Sequence, residues 1–90
     1  MRCDGQVLIL EDDLTLEHAR RLLGLGAEAI TQGVTEVDFA GAGKVDSSAL
    51  SLMLAWRRRA HAVGRRLEFR NVPDSLRSLA RLYGVDALLR

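Results

Sequence analysis

Ninety residues, 48% of them hydrophobic and 28% charged, are enough for one modest core, and this apolar share excludes a disordered chain. The formal net charge of +1 is far from the strongly basic balance of a nucleic-acid binder. The small sum conceals a split, because residues 1–45 carry four basic and eight acidic side chains while residues 46–90 carry nine basic and four acidic. Such a division can orient the chain on a partner. Cys3 is the only cysteine, so no internal disulfide forms and nothing points to an oxidising compartment. Two residues ahead of Cys3 are too few for a signal peptide or lipoprotein leader. No apolar run approaches the ~20 residues that span a bilayer. One cytoplasmic domain over residues 1–90, without membrane insertion, is expected.

Residues 6–10 (QVLIL) follow the turn pair Asp4-Gly5, end in the acidic cluster Glu11-Asp12-Asp13, and read as a buried strand. Thr15 stands as an N-cap, and beyond it Leu16, Ala19, Leu23, Ala27 and Ile30 line one face of a helix. Gly24 and Gly26 cost that helix ~1 kcal/mol each relative to Ala. Residues 35–40 (TEVDFA) form the second strand, with Gly33 before it and Gly41 and Gly43 after. Residues 48–63 form a second helix that ends at Gly64, a natural C′ residue. Residues 66–70 (RLEFR) alternate as a half-buried strand should, with Leu67 and Phe69 on one face. Pro73 and Asp74 open a last helix, whose Leu76, Leu79, Ala80 and Tyr83 fall at i, i+3, i+4 and i+7 and which Gly84 stops. The order β-α-β-α-β-α predicts an α/β fold: a small, mostly parallel sheet with helices packed against it through right-handed crossovers.

The informative stretch is residues 37–54, VDFAGAGKVDSSALSLML. A strand ends, a glycine-bearing loop turns, and Asp46-Ser47-Ser48 opens a helix. With Asp46 as N-cap, its carboxylate accepts a bond from an otherwise orphaned backbone N–H, worth ~1 kcal/mol. Val45 and Leu50 then occupy the two positions of a hydrophobic staple. Ser47 and Ser48 place their hydroxyls at the positive end of the helix dipole, where a phosphate is favoured electrostatically. The same phosphate stands beside Asp46, so modification can disrupt a complex while leaving the fold intact. From spacing alone, a plain helix cap is the simpler account of Asp-Ser-Ser. Further along, Leu50, Met53 and Leu54 suffice for one core stripe, leaving Leu52 and Trp56, an i/i+4 pair, for a protein contact or for packing under a loop.

Other motifs fail on inspection. Gly41-Ala42-Gly43-Lys44 resembles a phosphate loop, but the Walker pattern requires glycine where Asp38 stands and Ser or Thr where Val45 stands. His18 and His61 lie on different helices with no metal-ligand spacing to each other or to Cys3, so no metal or cofactor is expected. Arg57-Arg58-Arg59 with Arg65-Arg66 forms a basic block at a helix end. It reads first as a solvated face, with anionic lipid headgroups or nucleic acid as lesser alternatives, since no aromatic stacking platform accompanies it. Nothing supplies Ser47 with a catalytic base, so an enzyme is not expected.

The string VDFAGAGKVDSSAL resembles the signature of STAS domains, in which a strand ending in an Asp-containing apolar tetrad leads to a D-[ST]-x-G-L helix start. The element order and the closing SLRSLARLYGVDALL are similar too, so the resemblance covers roughly residues 6–90. It implies a non-enzymatic protein that docks on a partner. In the anti-sigma factor antagonist branch, the hydroxyl after the Asp is a phosphorylation site, which maps to Ser47. In the branch typified by MlaB, the STAS subunit of a phospholipid-transport ABC complex, the same position lies where the domain docks on the ATPase subunit. The short length, the Leu-rich second helix and the Leu-Tyr-Gly-Val ending lean towards the MlaB-like branch. The resemblance therefore implies a cytoplasmic ABC ATPase as partner, with an anti-sigma factor or serine kinase as the alternative. Localisation would be cytoplasmic or at the inner membrane through the transporter complex. The expected partner-binding set is Gly43, Lys44, Asp46, Ser47, Ser48, Ser51, Leu52 and Trp56. Two departures stand out: Ala49 replaces the usual glycine, and the first strand of the usual opening hairpin is expected to be a stub or absent.

Overall fold

The apolar run at residues 6–10 is the second arm of a hairpin. The computed structural model describes residues 1–89, so Arg90, the last residue of the expected domain, lies outside the described residues. A three-residue strand β1 (Arg2–Asp4) turns through Gly5, at φ 62°, into β2 (Val7–Ile9). There follow α1 (Leu16–Thr31), β3 (Glu36–Asp38), α2 (Ser48–Ala62), β4 (Glu68–Arg70), α3 (Asp74–Leu82) and a closing 3-10 turn, Asp86–Leu89. The sheet order is β1-β2-β3-β4, with β1 antiparallel to β2 and the other pairs parallel. The α/β reading holds, with the short hairpin strand added in front.

Register sorts the strand side chains onto two faces. Leu8 lies beside Val37, and Val37 beside Phe69. Leu8 and Val37 are buried and belong to one cluster with Leu22 and Ile30 of α1, Met53 of α2 and Leu76 of α3. The alternate residues Glu36, Asp38, Glu68 and Arg70 fall on the opposite, polar face, where Arg70 Nη1 donates to Glu36 Oε2 at 2.9 Å. Helices therefore cover one face of the sheet.

The helix stripes depart from the expected ones for one reason: α1 and α2 pack closely on each other as well as on the sheet. In α1 the buried residues are Leu22, Gly26 and Ile30, while Leu16 is 77% exposed and Leu23 41%. In α2, Leu52 and Trp56 join Leu50 and Met53 in the interior, and Leu54 is turned outward. Trp56 lies against the backbone of α1 at Gly26, and its Nε1–H donates to the Leu23 carbonyl at 3.3 Å. A Cβ on Gly26 would come within 2.6 Å of Trp56 Cζ2. The glycine that weakens an isolated helix is thus what lets the indole in, and α1 runs unbroken through it.

The helix ends are closed by specific bonds. After α2, Gly64 adopts φ 72°, its N–H donates to the His61 carbonyl, and the Arg65 N–H donates to the Ala60 carbonyl at 2.8 Å. The same two-bond closure ends α3, from Gly84 to Arg81 and from Val85 to Ala80. Arg65 also reaches back to the end of α1, where its Nη1 donates to the carbonyls of Ile30 and Thr31. On α3, Leu76 and Ala80 are buried as expected and Leu79 is half-buried, but Tyr83 is 58% exposed because the helix stops at Leu82.

Candidate docking site

The site begins with the loop between β3 and α2. Asp38 Oδ1 accepts from the Ala40 N–H (2.9 Å) and from Asn71 Nδ2 (3.0 Å), which turns the chain out of the strand. The Asn71 side chain, followed by the Ala40 N–H, holds the Asp38 carboxyl below the usual carboxylate range. The loop is then stitched to the acidic segment after β2. Gly43 N–H donates to the Asp12 carbonyl, Lys44 N–H to Asp13 Oδ1, Leu14 N–H to the Lys44 carbonyl, and Asp46 N–H to the Leu14 carbonyl. These bonds set the first turns of α1 and α2 side by side.

Asp46 joins the two. Its Oδ1 accepts from the Ser48 N–H at 2.8 Å, and its Oδ2 from the Leu16 N–H at 3.0 Å. Neither Thr15 nor Ser47, the residues at the N-cap positions, makes a side-chain cap bond. One carboxylate therefore caps two helices. Burial opposes the Asp46 charge, but the donors from Leu16 and Ser48 outweigh it and hold the carboxyl below its ordinary value.

With Asp46 occupied, the surface is left to the outer ridge of α2. Ser47 and Ser51 are exposed, Ser48 is half-buried, and Leu54 is 42% exposed. Ser47, Ser51, Leu54 and Arg58 follow one helix face at i, i+4, i+7 and i+11. On one side of this ridge a groove of about 710 Å³ is lined by Ser47, Ser51, Leu54, Tyr83, Val85 and Leu88. On the other side a groove of about 370 Å³ runs between α1 and α2, past Leu16, Ala19, Leu23, Ser48 and Ser51. Ser51 lines both.

The expected set is thus divided. Asp46, Ser47, Ser48 and Ser51 come together at the start of α2, with Gly43 and Lys44 exposed on the adjoining loop. Leu52 and Trp56, expected at the partner surface, are 3% and 1% exposed, so they belong to the core between α1 and α2. The structure adds Leu54, Tyr83 and Val85, which the sequence reading left out. Leu54 could have been found from its i+7 spacing to Ser47. Among the described residues, the Ser47 hydroxyl makes no hydrogen bond that would activate it, and no group of three His, Cys, Asp or Glu could hold a metal ion. No helix among the described residues is long and apolar enough to cross a membrane.

The family model described as Mlab, STAS domain matches residues 2–90. Among solved structures, the anti-sigma factor antagonist SpoIIAA in its unphosphorylated form is similar at 25% identity and a TM-score of 0.70. The alignment covers 91% of this chain and 74% of that one. No curated protein matches the chain.

Proposed function

The chain belongs to the MlaB-type STAS domain family, and on that premise we propose that it is a non-enzymatic docking subunit for a cytoplasmic ABC ATPase engaged in phospholipid transport. All of residues 1–90 form its one domain, held at the inner membrane through the transporter complex. The observation that carries the reading is the α2 ridge, with two exposed serines between two apolar grooves. Exposed Leu54 and Tyr83 beside those hydroxyls combine apolar anchors with hydrogen-bonding groups, as the centre of a protein interface does. A standard interface buries ~800 Å² per partner, within reach of this ridge, its grooves and the Gly43-Lys44 loop. Ser47, next to Asp46, would be the centre of that contact.

Affinity capture of the ATPase subunit tests this. Ser47→Asp and Leu54→Asp should each weaken capture at least about tenfold, the cost of a desolvated unpaired charge. Gln32→Ala, at the far end of α1, should leave it unchanged. Capture of both Asp variants at the wild-type level would end the proposal.

The likeness to SpoIIAA favours a second reading, an anti-sigma factor antagonist switched by phosphorylation of Ser47. Incubation with a serine kinase and ATP separates the two. Only this reading expects a stoichiometric gain of one phosphate that Ser47→Ala abolishes.

A further inference from the structure

At its other end, α2 changes character. Arg57, Arg58, Arg59 and His61 crowd its last turns, and Arg65 and Arg66 follow the turn at Gly64. His61 lies ten residues beyond Ser51, about 15 Å along the axis, and Arg57 is turned towards Phe69 of β4 rather than onto the docking ridge. Here a cleft of about 400 Å³ opens between α2 and β4, lined by Arg57, His61, Arg65, Arg66, Glu68 and Phe69.

Two of the three guanidinium groups are held in place. Arg57 stacks over the Phe69 ring at 4.6 Å from the centroid, and Arg65 is anchored on the carbonyls of Ile30 and Thr31. An arginine carries five N–H donors, so anchoring Nη1 leaves Arg65 with others to offer. Among the described residues, ion pairs use Arg2, Arg21, Arg70 and the amino terminus, and Arg58, Arg59 and Arg66 enter none. Among the described residues, Glu68 is the one acidic side chain lining the cleft. The carbonyl end of a helix repels anions, but here the Ala60 and His61 carbonyls are already bonded to Arg65 and Gly64 N–H groups.

We propose that this cleft binds a phosphate group, the chemistry shared by a phospholipid headgroup and a soluble phosphate ester. Preplaced guanidinium groups match phosphate geometry better than mobile ammonium groups do. Val63, 37% exposed at the turn beside the cleft, offers an apolar contact that a lipid surface could use and a soluble ester would not need.

Amide and arginine side-chain NMR shifts would be followed during titration with inorganic phosphate, against chloride at matched ionic strength. The expected result is saturable shifts confined to residues 57–69, about tenfold weaker in Arg66→Gln and unchanged in Arg77→Gln, which alters net charge equally on α3. Co-sedimentation with phosphatidylglycerol vesicles, compared with phosphatidylcholine vesicles, identifies the source. Retention by the anionic vesicles that Arg66→Gln abolishes assigns a lipid headgroup. Phosphate binding without vesicle retention assigns a soluble ester. Shifts no different from those in chloride, or equal losses in Arg66→Gln and Arg77→Gln, would overturn the site. Thermal melts of both variants should match wild type, because both side chains are exposed.

Discussion

Replacing Asp46 tests whether one carboxylate ties two helices together. Each of its oxygens accepts one N–H at a helix start, from Leu16 at 3.0 Å and from Ser48 at 2.8 Å. Loss of an N-cap costs ~1 kcal/mol, so Asp46→Ala should cost about 2 kcal/mol. In a domain of this size each kcal/mol moves Tm by roughly 4–8 °C, giving a fall of about 8–16 °C. Asp46→Asn keeps a single acceptor oxygen and should lose about half as much. The pH dependence has a definite sign. The folded-state carboxyl titrates below its unfolded value, so its stabilisation is complete above the unfolded pKa and fades as pH falls through the folded one. Urea titrations should therefore give a constant gap between wild type and Asp46→Asn at neutral pH, closing below about pH 4. A Tm shift under about 4 °C for Asp46→Ala, or Asp46→Asn indistinguishable from wild type at pH 7, would refute the double cap.

Gly24 and Gly26, both inside α1, should respond oppositely to the same change. Gly24→Ala meets open space and should stabilise by up to ~1 kcal/mol, whereas Gly26→Ala forces a methyl into the Trp56 ring and should destabilise by ~1–3 kcal/mol despite its better helix propensity; paired thermal melts decide. Trp56→Ala should cost ~3–5 kcal/mol in denaturant titrations, as expected of a fully buried indole and not of a surface anchor. Arg65→Gln removes the donors that close α1, and should cost ~1–2 kcal/mol and speed amide exchange at Val34, whose N–H bonds to Ala29 next to those carbonyls.

The order of strands and helices was legible because turn chemistry brackets each element: Gly64 and Gly84 sit where both helices close, and Pro73 and Asp74 where the last one opens. The opening hairpin was harder to see. A three-residue strand such as Arg2–Asp4 carries no periodicity, and its pairing with β2 depends on a turn at Gly5. The start of α2 was read one residue early: Ser47 holds the N-cap position and Ser48 is half-buried, although Asp46 does supply the cap bond and Ser47 does face outward. The reach of Asp46 to Leu16 was invisible, since it spans 30 residues and exists only because the two segments are stitched together. Leu52 and Trp56 were misplaced because one apolar stripe seemed enough for a helix covering a sheet. The second stripe is demanded by α1, and its clue was Gly26, a glycine in mid-helix with nothing local to explain it. Leu54 and Tyr83 were assigned to the core by spacing alone; Leu54 lies at the edge of its stripe, and Tyr83 falls just past the last residue of α3.

The central claim is that partners grip the serine-tipped ridge of α2. Backbone amide exchange of the chain, free and mixed with the ATPase subunit proposed as its partner, tests this most directly. The ridge account expects slowed exchange in residues 43–54 and 83–88, with the open sheet face around Glu36 and Arg70 unchanged. Protection of that sheet face, with residues 47–54 exchanging as in the free chain, would contradict it.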